Sequence, residues 1–187
     1  GWFWFIPFLD GRTSVGLVMT PDIGLSGDRW AEALSRCPQA ASRLDGAQAL
    51  GPIRGAQNFT ATTEHFHGPG YALLGDAAFF LDPVFSSGVL FALESAETLV
   101  ETLLNKGDLD AWEARLRRAA RPMEQAILAF YSGSFLTLAT CPPHIVSPRY
   151  KSGIEGLLVG DLFSDNRMPH RLARRFDQLA ELVSRSA

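Results

Sequence analysis

Asp76 follows Gly75 at the end of a short apolar run, "YALL" (71–74), and Ser86-Ser87-Gly88 opens a long helical stretch shortly after it. The run reads as a buried strand. Gly75 then permits a tight turn or a close approach by a ligand, and Asp76 is placed at the strand's carboxyl end, where ligands gather in sheet-based folds. The helix start offers unpaired backbone N–H groups and the positive end of the helix dipole, which favour an anion or an electron-rich ring. A carboxylate for sugar-like hydroxyls beside such a helix start suits a flavin. The same residues also describe an aspartate that ends a strand and a serine that caps a helix. Spacing alone leaves both readings open.

Other reactive side chains form weaker groupings. His65 and His67 lie two apart on an expected strand and so share a face, but no third ligand accompanies them and we expect no metal site. Arg115, Arg117, Arg118 and Arg121 crowd one expected helix. They read as a solvated face, with docking of an acidic partner such as a carrier protein as the alternative. Glu94 and Glu97 fall on the expected polar side of the helix after Gly88. We find no Ser-His-Asp or Cys-His arrangement.

The elements that must position these groups begin with "GWFWFIPFLDG" (1–11). Trp2 to Leu9 is apolar throughout; period-two geometry puts Trp2, Trp4 and Ile6 on one face and Phe3 and Phe5 on the other. Asp10-Gly11 joins this run to "TSVGLVMT" (13–20), which predicts a buried hairpin covered on both faces. Residues 28–38 read as a helix on Trp30, Leu34 and Cys37, and 53–66 as extended. A single helix is expected over 87–105, with Val89, Ala92, Leu93, Ala96, Leu99, Val100 and Leu103 as its core stripe and Lys106-Gly107 as its stop. Asp110 and Glu113 resemble a capping box for the next helix, whose stripe is Trp112, Leu116, Ala119, Met123, Ile127 and Phe130, with a kink at Pro122. Residues 134–150 read as irregular, and a last helix from Met168 carries Leu172, Phe176, Leu179 and Leu182. The order predicts an α+β chain: a strand-rich part over 1–86 and a helical part over 87–187.

Composition narrows the function classes. The chain has 187 residues, 47% of them hydrophobic and 11% aromatic, which is enough to bury a core. A net charge of −3 gives no electrostatic case for nucleic acid or an anionic membrane. No apolar run approaches the roughly 18 residues of a membrane span. Cys37 and Cys141 fit neither CxxC nor zinc spacing, so we expect a reducing, cytoplasmic setting. The aromatic opening lacks the basic lead of a signal peptide and reads as an internal segment of something larger.

Two motifs carry a resemblance. "LLGDAAFFLDPVFSSGV" (73–89) is similar to the second FAD-binding motif of the flavoprotein monooxygenase superfamily, in the version found in FAD-dependent halogenases. "WFWFIP" (2–7) resembles the W-x-W-x-I-P signature of those halogenases, and "GLLVGDLF" (156–163) resembles their tail. The resemblance covers the chain as the C-terminal half of such an enzyme. It implies that Gly75, Asp76, Pro83, Gly88 and Val89 bind FAD, with Asp76 on the ribityl chain and the Gly88 and Val89 N–H groups at the pyrimidine edge. It implies halide beside Ser87 and Gly88, and Trp2, Trp4, Ile6 and Pro7 as the halogenase signature near flavin and substrate tunnel. Such enzymes use reduced FAD from a separate flavin reductase, O2, and chloride or bromide. Their substrate is a small phenolic or pyrrolic aromatic, free or tethered to a carrier protein, and the aromatic strand would floor a cavity that stays dry.

The sequence departs from that pattern in places. Family members carry Gly near Phe79 and often His near Leu90, where this sequence is bulkier and less polar. No G-x-G-x-x-G opens a helix; "GPGYAL" (68–73) lacks the third glycine and leads into a strand. Lys106 and Lys151 do not match the catalytic lysine. The resemblance therefore implies a partner domain, an N-terminal FAD-binding domain outside these residues, and an isolated chain without activity. Rival readings are a related FAD-dependent hydroxylase or reductase, and a non-catalytic helical interaction module.

Overall fold

The structure, a computed structural model, describes residues 1–20, 28–56, 60–142, 145 and 147–186. It divides into two units, Gly1–Gly55 and Ala56–Ala187, so the boundary drawn from sequence at 86/87 falls inside the second.

In the first unit β1 (Trp2–Pro7) pairs antiparallel with β2 (Thr13–Val18), with Trp2 opposite Val18 and Pro7 opposite Thr13. Alternation puts Trp2 and Trp4 on one face with ring centroids 5.9 Å apart. Gly16 sits opposite Trp4, and a Cβ there would lie 1.9 Å from the indole, so only glycine leaves room for the ring. Asp28 starts α1 (Arg29–Arg36) by accepting the N–H groups of Trp30 and Ala31, each at 3.1 Å. Pro38 then opens α2 (Pro38–Arg43). Phe3 meets Trp30 edge-on at 5.8 Å, and the Arg43 guanidinium lies over Phe5 at 5.4 Å. The hairpin is as expected, but its burial is not. Trp2 to Phe5 are half-buried, while Ile6, Phe8 and Leu9 are exposed. A hairpin and two short helices supply too little apolar surface to enclose a run that is apolar on both faces.

The second unit is mainly helical. Its strands are two-residue pieces: β3 (Ala61–Thr62) pairs with β6 (Phe79–Phe80), and β4 (His67–Gly68) with β5 (Tyr71–Ala72). The buried strand expected over 71–74 is reduced to Tyr71–Ala72, with Tyr71 exposed because the two-residue pairing has no sheet to cover it, and the turn expected at Gly75 is a 3-10 turn over Gly75–Ala77. The extended stretch expected over 53–66 lies partly outside the described residues.

The helices α3 (Gly88–Leu104) and α4 (Leu109–Ser132) follow. Along α4, Trp112, Leu116, Ala119, Met123 and Ile127 are buried as expected, and the helix continues through Pro122. Its start differs from the expected capping box. Asp108 is the cap, accepting the Asp110 N–H at 2.8 Å, because Leu109 already belongs to the helix. Residues 134–150 are not irregular throughout: α5 (Ser134–Ala139) and the start of α6 (Pro148–Leu158) fall there, with Pro148 serving as a first helical residue. The last helix is two, α7 (Met168–Ala173) and α8 (Phe176–Ser186); Leu172 and Phe176 are buried but Leu182 is exposed. The core joins Phe79 to Phe66 and Phe91 at 5.5 and 5.1 Å, and Phe135 to Phe85 and Phe176 at 4.9 and 5.6 Å. The chain is α+β, with most of its ordered backbone in helices.

The face that α3 buries also corrects the sequence reading. Phe91, Ser95, Thr98 and Leu99 point into the core, whereas most of the expected apolar stripe lies on the opposite side. The hydroxyls of Ser95 and Thr98 are satisfied by hydrogen bonds, so the core accepts them.

Candidate functional site

The site in the second unit is built from the turn upward. Gly75 has φ of +50°, and a Cβ on it would fall 3.0 Å from Ala92 Cβ, so glycine lets the turn press against α3. Ser95, fully buried on α3, accepts the Gly75 N–H at 3.3 Å and donates to Ala92 O at 2.9 Å. Trp112 of α4 donates its indole N–H to Ser95 O at 3.3 Å and Thr98 Oγ1 at 3.1 Å. Turn and both helices are therefore held at one point. Spacing arguments missed Ser95 and Thr98; their signal is small hydroxyl residues recurring on one side of an otherwise aliphatic helix.

That anchor places Asp76 next to the start of α3. Its carboxylate is exposed, and a Cβ on Gly88 would come 3.9 Å from Asp76 Oδ1. No side chain caps α3, and the Ser87 hydroxyl is buried without a hydrogen-bond partner among the described residues. The intervening loop is fixed by Asp82, which accepts the Val84 N–H at 3.0 Å and the Tyr131 hydroxyl at 2.9 Å. Gly75, Asp76, Pro83, Gly88 and Val89 all line one cavity of about 640 Å³. Ser87 lies at its edge in sequence but does not line it.

Trp2, Trp4, Ile6 and Pro7 belong to the first unit. Trp4 donates to Ser14 Oγ at 3.2 Å, the Trp2 indole N–H is buried without a partner among the described residues, and Ile6 and Pro7 are exposed. Within that unit a cavity of about 480 Å³ is lined by Trp2, Phe3, Phe5 and Leu17, with Arg36 and Arg43 among its polar residues.

A second polar cluster serves the architecture. Glu113 accepts the Phe66 N–H at 2.8 Å and Arg117 Nε at 2.7 Å, while Arg117 also donates to Thr63 O and Glu64 O at 3.0 and 2.7 Å. His67 Nε2 lies 3.2 Å from Asp110 and 3.8 Å from Glu113. Burial of Glu113 opposes its ionisation, but the Phe66 N–H and the bond and charge of Arg117, with a smaller contribution from His67, hold its pKa below the usual value. Arg117 is thus a packed residue, 4.0 Å over the Phe66 ring, rather than part of a solvated face; Arg115, Arg118 and Arg121 are exposed. His65 is exposed beside Glu64, away from the His67 contacts. Among the described residues no group of His, Cys, Asp and Glu could hold a metal ion, and no helix is long and apolar enough to cross a membrane.

The fold is similar to part of a solved flavoprotein/dehydrogenase from Cytophaga hutchinsonii, with a TM-score of 0.83 at 24% identity, over 99% of this chain and 48% of that one. The sequence pattern of the tryptophan halogenases matches residues 1–136, and the chain belongs to that family. It is similar to the 1H-pyrrole-2-carbonyl-[peptidyl-carrier protein] chlorinase of Pseudomonas fluorescens, 29% identical over 98% of this chain and 42% of the relative. It is also similar to the flavin-dependent halogenase gsfI of Penicillium aethiopicum, 31% identical over 61% of this chain and 24% of the relative. The sulochrin halogenase gedL of Aspergillus terreus is 31% identical over 61% of this chain and 23% of its own length. The chain spans less than half the length of these relatives.

Proposed function

We propose that this chain is the C-terminal part of a FAD-dependent halogenase that installs chloride or bromide on a phenolic or pyrrolic ring. One observation carries the reading: a glycine–aspartate turn and an uncapped helix start line the same cavity. The donor set fits a flavin. The Asp76 carboxylate, with no hydrogen-bond partner among the described residues, would accept hydrogen bonds from ribityl hydroxyls. The N–H groups of Gly88 and Val89, in the first turn of α3 where intrahelical partners are lacking, meet the electron-rich pyrimidine edge. Pro83 fixes the loop between them. Ser87, with a buried hydroxyl lacking a partner, and Gly88 are donors of the kind that hold a halide. Reduced FAD, when bound, supplies with O2 the oxidising power that turns halide into an electrophile. Trp2, Trp4, Ile6 and Pro7 form the signature strand of the reading, an apolar surface of the kind that keeps water from a reactive oxidant.

The remaining parts of the reading are a preceding nucleotide-binding half, a flavin reductase to supply reduced FAD, and a cytoplasmic setting. The pyrrole-carrier chlorinase matches nearly the whole chain, which favours a carrier-tethered pyrrole as substrate. The test is the whole protein with reduced FAD, O2, bromide or chloride, and a pyrrole-2-carbonyl carrier protein, read by intact mass. Replacement of ring hydrogen by halogen is expected. A hydroxylated product, or no product with either halide, overturns the reading.

A further inference from the structure

We propose that the turn over residues 160–163 is a positioning element for the first turn of α3, and through it for the Gly88 and Val89 N–H groups. The proposal rests on the flavin reading for the ligand of those groups, not for the contact between turn and helix. The turn belongs to "GLLVGDLF" (156–163), which has no part in the chemistry proposed above. It closes α6. The Gly160 N–H donates to Leu157 O at 3.2 Å and the Asp161 N–H to Gly156 O at 2.8 Å. Such paired bonds need a left-handed residue at the helix end, and Gly160 has φ of +75°. Both glycines of the motif stand where a side chain has no room. A Cβ on Gly156 would lie 2.8 Å from Pro169 Cγ of α7, and one on Gly160 would overlap Leu90 Cδ2 of α3.

The turn is braced from its other side. Asp161 accepts the Ser164 hydroxyl and the Asn166 amide, and His170 Nε2 of α7 lies 3.2 Å from Leu162 O. Leu162 is buried, and Phe163 meets Phe91 of α3 edge-on at 5.5 Å. Leu90 and Phe91 directly follow Gly88 and Val89, and Phe91 also lines the cavity at Gly75. The start of α3 has no side-chain cap, and the Gly75 turn grips the helix one turn further on, at Ala92 and Ser95. A braced turn against Leu90 and Phe91 therefore fixes the direction of the first N–H groups before a ligand arrives. That spares part of the cost of ordering them on binding.

The experiment compares two substitutions that strain the backbone alike. Gly160→Ala and Gly133→Ala each put a methyl on a left-handed residue at a helix end, with φ of +75° and +86°, but nothing lies within 4 Å of a Cβ on Gly133. Both should lower the unfolding midpoint. In the whole protein without FAD, the Phe91 amide, bonded to Ser87 O at 3.1 Å, should exchange with deuterium at least about fivefold faster in Gly160→Ala than in Gly133→Ala. FAD should bind Gly160→Ala at least about fivefold more weakly, and Gly133→Ala within about twofold of the unsubstituted protein. Adding Leu90→Ala to Gly160→Ala clears the overlap and should return exchange and affinity to those of Leu90→Ala alone. Should Gly160→Ala not fold, Phe163→Leu carries the same comparison with Gly133→Ala. Equal exchange in Gly160→Ala and Gly133→Ala overturns the proposal, as does faster exchange with unchanged FAD affinity or no recovery with Leu90→Ala. Faster exchange in a protein that binds no FAD in any form supports the positioning of the helix start and sinks only the flavin reading.

Discussion

At the residue scale, Ser95 and Asp76 separate architecture from binding. Ser95 ties the Gly75 turn to α3, so Ser95→Ala leaves a buried N–H unpaired and should cost about 1–3 kcal/mol of stability. A lowered midpoint in thermal or urea unfolding is the expected result; an unchanged midpoint would mean the bond is idle. Asp76 behaves oppositely. It is exposed and bonds to no described side chain, so Asp76→Ala should leave the unfolding midpoint where it was. In the whole protein the same change should weaken FAD binding by about 1.5–3 kcal/mol, or tenfold and more, since a charge-assisted hydrogen bond is lost. Fluorescence titration of FAD measures it. Unaltered affinity would reduce Asp76 to a residue that ends a turn.

At the element scale, Glu113 joins the 63–67 segment to α4 through Phe66 and Arg117. The folded state holds this carboxyl below its usual pKa, so the unfolded chain binds the proton more readily. Its contribution is complete above the ordinary glutamate range and disappears as pH falls through the depressed folded value. Glu113→Gln should lower stability by about 1–3 kcal/mol at neutral pH. Unfolding curves from neutral to acid pH should show the gap to the unsubstituted chain closing, and a gap constant with pH would refute the assignment. The same elements show what was legible. The hairpin could be read because two β-rich runs flank the Asp10-Gly11 turn, and the extent of α3 because apolar residues recur at helical spacing as far as Lys106-Gly107. Its orientation could not be read, because periodicity assumes that aliphatic residues face inward. Here two hydroxyl residues occupy the core and the aliphatic stripe faces out. Proline misled similarly over 134–150, where Pro148 begins a helix. Of the candidate site, the turn and helix start were legible as motifs; Trp112 was legible as a core residue, but its bond to Ser95 and the bond of Ser95 to Gly75 join residues distant in sequence, which no local spacing pairs.

At the scale of the whole molecule, the cavity at Gly75 and Gly88 would, on the proposed reading, hold one end of a flavin. The adenine and pyrophosphate call for a glycine-rich helix start, and no G-x-G-x-x-G occurs in this chain. Partial contacts do not yield proportional affinity, because the cost of immobilising the cofactor is met in full while the compensating interactions are cut. The 187-residue chain alone should therefore purify colourless and bind FAD far more weakly than the whole protein. It also leaves Ile6, Phe8, Leu9 and the α3 stripe exposed, which should drive association at raised concentration. Titration with FAD, together with light scattering over a concentration series, tests both consequences. A yellow chain that retains FAD through gel filtration and stays monomeric at every concentration would show that these residues hold a complete flavin site.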